Sequence, residues 1–205
     1  MNRKKLVVAL LTLGLFSLGI AGLAAVKLGV IGGSRFYGTP YPDSPVAPEF
    51  TLTDHRGEQS SLSDFRGRTV LLFFGFTRCP DVCPLTLDRL SQVLDETDLG
   101  PDRVAVLLVT VDPEYDSPER LADYVAHFGP SVTGLTADRT TLEAVYVAYG
   151  VYAREMPGHD GEAVLAHNPQ VFGIDADGRL QVLIHPEDPA EQVGSDIRKL
   201  ASAGR

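Results

Sequence analysis

The chain is poor in cysteine, with two in 205 residues, Cys79 and Cys83. So few exclude the disulfide framework that staples many small exported domains. Positive charge is also scarce over most of the length. Residues 46–205 hold 13 basic and 26 acidic side chains, a net of −13. A surface that acidic repels phosphate backbones, which argues against nucleic acid and favours cationic partners or metal ions. Most of the acid reads as an ordinary solvated face. Repeats and long low-complexity tracts are absent as well.

Apolar residues make up 44% of the chain, enough to bury a real core. The first segment stands apart. Arg3, Lys4 and Lys5 precede Leu6–Val26, 21 residues without a charge. At about 1.5 Å per residue, a helix of that length crosses a hydrocarbon layer of roughly 30 Å. It exceeds the roughly 7–15 apolar residues of a secretory signal, and no clean A-x-A site or lipidatable cysteine accompanies it. Residues 1–26 therefore read as an uncleaved anchor, with a cleaved signal as the alternative. The positive-inside rule keeps the basic end cytoplasmic and puts the rest in a periplasm-like space. There a close cysteine pair can form a disulfide and cycle. Residues 27–45, rich in Gly and Pro, read as a tether to a domain over 46–205.

Within that domain FTLTDHRGEQSSL predicts a hairpin turning at His55-Arg56-Gly57. TVLLFFGF (69–76) and VAVLLVTV (104–111) are continuous apolar runs, as expected of strands buried on both faces. Leu85, Leu87, Leu90, Val93 and Leu94 recur at helical spacing after the cysteines. Ser117-Pro118 opens a second helix, TTLEAVYVAYGV forms a third, and a last one begins near Pro189. QVFGID and RLQVLIH flank Ala176-Asp177-Gly178 as a hairpin. The order hairpin, β, α, β, α, α, β, β, α predicts an α/β fold of the thioredoxin type: a central mixed sheet flanked by helices, with an N-terminal hairpin extension.

Proline suits a first helical turn, so Pro84 places the helix start just after Cys83, with Cys79 on the preceding loop. The positive end of the helix dipole favours thiolate, so Cys83, and with it Cys79, is expected to ionise more readily than a free cysteine. A structural disulfide, a thiol–disulfide exchanger and a metal site all remain open. Exchangers typically use C-x-x-C. The extra residue here leaves room for an ion between two sulfurs. His167, in AHNPQVFGID, lies just ahead of a strand expected after Pro169. In thioredoxin-like folds the loop entering that strand lies against the reactive cysteines, making His167 the candidate third ligand. His55, His127, His159 and His185 read as exposed or locally bonded. Two soft sulfurs and one imidazole suit copper, as Cu(I) or Cu(II). A structural zinc site would need a fourth protein ligand, and none stands out.

FGFTRCPDVCP, VTVDPEYDSPERLADYVAHF and the His167 segment resemble the SCO family, copper-binding assembly factors of cytochrome c oxidase, over about residues 46–200. The resemblance implies copper held by Cys79, Cys83 and His167 on the outer face of the membrane. It implies delivery to the binuclear copper site of an oxidase subunit, with another periplasmic copper chaperone or a thiol reductant as further partners. Asp112 matches an acidic position near the site and is expected in a supporting role, while Pro80 and Pro84 shape the loop. Ala166 departs from the family pattern, in which many members carry Asp before the histidine; a carboxylate there could orient the imidazole. Asn168-Pro169 is also less usual. An alternative within the same residues is a thiol–disulfide oxidoreductase that reduces the cysteines of the copper-receiving subunit. A weaker one is a thiol peroxidase, for which Thr77 and Arg78 are the neighbouring polar groups.

Overall fold

The computed structural model describes residues 36–157 and 163–203; at 155–157, 163, 164, 166, 167 and 203 the description covers the backbone alone. The expected anchor at 6–26 and His159 lie outside the described residues. Among those described, no helix is long and apolar enough to cross a membrane.

Among the described residues ten strands form: β1 (Thr39–Pro40), β2 (Thr51–Asp54), β3 (Gln59–Ser61), β4 (Thr69–Gly75), β5 (Val104–Thr110), β6 (Val132–Thr136), β7 (Ala153–Pro157), β8 (Ala163–His167), β9 (Val171–Ile174) and β10 (Leu180–Ile184). Four α-helices accompany them among the described residues: α1 (Val82–Glu96), α2 (Pro118–Val125), α3 (Arg139–Tyr149) and α4 (Ala190–Ala203). Eight strands make one mixed sheet in the order β1-β10-β9-β4-β5-β6-β2-β3, with β4, β5 and β6 parallel. β7 and β8 form a separate antiparallel pair.

The middle of the sheet follows from its composition. Every residue of β4 and β5 is buried, as a continuous apolar run in a doubly covered parallel sheet must be. Phe74 of β4 meets the rings of Tyr146, Tyr149 and Phe172 at centroid separations of 6.0, 5.6 and 5.8 Å. The two tyrosines bury their rings without orphaning their hydroxyls, which donate to the carbonyls of Thr110 (2.6 Å) and Pro48 (2.7 Å).

The helices begin and end where local chemistry directs. Ser117 caps α2 with Pro118 as its first residue. Asp138 caps α3 through the Thr141 N–H, and Gly150, at φ 65°, closes it in a left-handed turn.

Three elements escape the sequence pattern. β6 is short, and Gly134 interrupts it. A Cβ there would stand 3.0 Å from Leu121 Cβ, so the missing side chain is what lets α2 lie on the strand. The β7–β8 pair occupies a stretch to which the sequence pattern assigns no element. Residues 36–45, read as the end of the tether, join the folded unit: β1 pairs with β10, and the N–H groups of Tyr37 and Gly38 donate to the buried Asp196 carboxylate.

Candidate metal and thiol site

β4 ends at Gly75, and the chain turns at Phe76, whose carbonyl accepts from the Cys79 N–H at 3.2 Å. Asp81 precedes α1 in the cap position but makes no side-chain capping bond. The first-turn donors find another acceptor. The Cys83 N–H points at the Cys79 sulfur at 3.3 Å, and the N–H groups of Asp81 and Val82 act on the same atom. Pro84, third in the helix, has no N–H to place, so its ring costs nothing there. The sulfur of Cys79 thus serves as the cap that the Asp81 side chain does not provide.

This changes the expected order of acidity. Cys83 is wholly buried, Cys79 half-buried, and both are reduced thiols. The Cys83 thiol, donating to Cys79, is the largest influence lowering the Cys79 pKa to about 6; the three N–H groups add to it, against the opposing effect of burial. The same hydrogen bond, then burial, drives the Cys83 pKa upward. Sequence position put Cys83 at the favourable end of the helix. Its side chain instead turns into the core, and the residue just outside the helix receives the dipole.

Gly75 makes that seat possible. A Cβ at Gly75 would lie 3.1 Å from Cys83 Sγ and 2.8 Å from Phe73 Cε1. An isolated glycine in a strand is the sequence signal for such an approach.

The loop between β5 and α2 holds the cysteine loop from the other side. Asp116, fully buried, accepts from the Thr77 N–H (3.1 Å), the Thr77 hydroxyl (2.5 Å) and the Thr110 hydroxyl (2.6 Å). Asp112 pairs with Arg78 at 2.6 Å, and its own N–H donates to Thr110 Oγ1. Asp112 therefore fixes the residue before Cys79. Asp116 does more, and the sequence reading passed over it; the fourfold spacing from Asp112 in VDPEYD was its only signal. Thr77 and Arg78, the polar pair of the peroxidase alternative, are both engaged with these carboxylates.

Tyr124 on α2 adds an unusual group. Its hydroxyl is buried and has no hydrogen-bond partner among the described residues. Burial, then the electrostatic influence of the neighbouring cysteine sulfurs, raises its pKa.

His167 closes β8, with its backbone in register with Ala153 of β7. Its side chain lies outside the description. Among the described residues no group of three His, Cys, Asp or Glu side chains converges as a metal site. Asn168 acts locally, its side-chain oxygen accepting from the Tyr152 N–H and closing the open end of the β7–β8 pair. His55, His127 and His185 are locally bonded, to the Gly134 N–H, the Tyr124 carbonyl and the Thr39 hydroxyl. Pro80 is exposed on the loop.

Comparison with known proteins places this arrangement. The family model SCO1/SenC matches residues 39–202. The mitochondrial SCO2 homolog of Bos taurus is 36% identical over 160 residues, 77% of this chain and 60% of that protein, so the chain spans less than two thirds of its relative. The solution structure of apo Sco1 from Thermus thermophilus is 35% identical, covers 82% of this chain and 99% of its own, and superposes with a TM-score of 0.72. The structure of Bradyrhizobium japonicum ScoI with copper bound is 32% identical, covers 76% of this chain and 99% of its own, and gives a TM-score of 0.68.

Proposed function

Because the chain belongs to the SCO1/SenC family, we propose that it is a copper carrier that assists assembly of the binuclear copper site of a cytochrome c oxidase subunit. Cys79, Cys83 and His167 are the proposed ligands. The supporting observation is the reduced pair at the β4–α1 junction, where one sulfur lies on the helix N–H groups and accepts from its partner. Soft thiolates suit Cu(I), and a low Cys79 pKa lets the ion displace few protons at neutral pH. The copper-bound Bradyrhizobium relative supports the choice of metal. Residues 6–26 would tether the domain on the extracytoplasmic side, within reach of a membrane oxidase.

A second reading uses the same sulfurs. The low Cys79 pKa favours thiol–disulfide exchange with the cysteines of the receiving subunit. Transfer of two electrons from the pair to a target disulfide would leave a Cys79–Cys83 disulfide and release any bound copper, so the roles can alternate.

Anaerobic Cu(I) titration against a competing chelator tests the proposal. The reduced wild type should bind stoichiometrically. Cys79→Ala and Cys83→Ala should each abolish tight binding, and His167→Ala should weaken it by one to two orders of magnitude, roughly the loss of a coordinating group. Unchanged binding in any of the three removes that residue from the ligand set. No binding by the reduced wild type removes the carrier reading.

A further inference from the structure

A cleft of about 570 Å³ opens beside Arg78, the residue before Cys79; Arg78, Asp112, Glu114 and Tyr115 line one side, Arg139 its end and Ala153, Arg154 and Leu165 of the β7–β8 pair the other, so three guanidiniums face two carboxylates there. One wall therefore belongs to the loop that carries Cys79, and the other to the strands that end at His167. We propose that this cleft docks an acidic polypeptide segment next to the reacting cysteines of the partner. The proposal rests on the functional reading above, in which Cys79 is the sulfur the partner meets.

The charge pattern selects the occupant. Arg78 is paired with Asp112 and Arg139 with Glu114. Arg154 and the adjoining Arg120 have no carboxylate partner among the described residues, in a domain that holds two acids for every base. Both guanidiniums are steadied by aromatic faces. Arg120 lies 4.0 Å from the centroid of Tyr115 and donates to the Tyr115 carbonyl, and Arg154 lies 5.4 Å from that of Tyr152. Arg78 sits over Tyr115 as well, at 4.2 Å. Pre-positioned guanidinium forks match carboxylates, and the tyrosine and leucine between them offer apolar contact that a bare ion would not use. The net acidity of the rest of the domain disfavours such a partner elsewhere on its surface. The cleft thus sets the direction of approach.

Two peptides test this, identical except that the residues flanking a central serine are Glu in one and Gln in the other. In NMR titrations of the reduced protein at low ionic strength, the Glu peptide should bind about tenfold more tightly, an effect of the size expected for rim charges. In about 1 M salt, where screening acts within about 3 Å, the preference should vanish. At the same low ionic strength the double variant Arg120→Gln/Arg154→Gln should bring the two affinities within about twofold of each other, the scale of one weak exposed ion pair. Equal binding by the wild type, or a preference that survives the double variant, overturns the proposal.

The same peptides with the serine replaced by cysteine, activated as 2-thiopyridyl disulfides, separate the docking site from the chemistry. The Cys79 thiolate attacks the peptide sulfur, a Cys79–peptide disulfide forms, and pyridine-2-thiolate leaves with the electron pair of the broken bond. Glu-selective binding without reaction upholds the cleft and removes the exchange reading. Reaction without Glu preference in binding does the reverse.

Discussion

The backbone N–H of Cys83 lies 3.3 Å from the sulfur of Cys79, and the two thiols it links are pushed in opposite directions. Cys79 is the more acidic, more accessible sulfur, whereas Cys83 is held back as a buried proton donor. The asymmetry arises from burial and hydrogen-bond direction, since both residues lie within one turn of the same helix end.

The first prediction concerns pH. Alkylation of Cys79 by iodoacetamide should rise with pH, reach half its maximum near 6 and level off above 7. Between pH 7 and 5 the rate should fall about tenfold, in step with the thiolate fraction. A lowered folded pKa also ties stability to pH. The reduced protein should carry the full contribution of Cys79 above the ordinary cysteine range near 8.5 and lose it as pH falls through about 6. Alkylation with a midpoint at 8 or above would remove the capping role assigned to the Cys79 sulfur.

Gly75→Ala should displace Cys83. The new methyl would meet Phe73, Cys83 and Leu108 within 3.1 Å or less in the packed centre of the sheet. Overpacking of that kind costs about 1–3 kcal/mol. Urea denaturation should show the loss, and the Cys79 alkylation midpoint should move upward because its hydrogen-bond donor has shifted. An unaltered midpoint would separate Gly75 from the thiol geometry.

Asp116→Ala should destabilise by about 3 kcal/mol, the scale of losing hydrogen bonds to a buried carboxylate and orphaning their donors. Asp116→Asn, which keeps an acceptor, should cost about half as much on the same reasoning. Urea midpoints compare the two. Copper affinity should fall with Asp116→Ala, because the Thr77 anchor that positions the cysteine loop is lost.

Tyr124→Phe should leave stability unchanged or raise it by up to about 1 kcal/mol, because the deleted hydroxyl is buried without a partner among the described residues. A thermal melt of the reduced apo protein measures it. A loss of more than about 1 kcal/mol would mean that the hydroxyl has a partner there, since a satisfied bond is worth about that much.

The centre of this fold was legible because its strands are continuous apolar runs and a helix start such as Ser117-Pro118 is explicit. β6 was not, since Gly134 dilutes its pattern for the sake of contact with Leu121. The β7–β8 pair was missed for a related reason: its partner strand is local, and the Gly-rich loop between them reads as irregular throughout. At the site, residue types and spacing pointed to the cysteines, but spacing cannot say which thiol faces the core. That depended on the rotation of α1 about its axis, which packing against Gly75 decides. Asp116 was invisible for a like reason, as a buried carboxylate is defined by its donors, here Thr110 at the end of β5 and Thr77 in the distant cysteine loop.

β7 and β8 share no ladder with the eight-stranded sheet. The proposed imidazole ligand therefore stands on an annex, while both sulfurs stand on the main building. On the proposal that His167 is a ligand, sequence change in the annex would retune how firmly cargo is held or how fast it is surrendered while leaving the ladders of the main sheet intact.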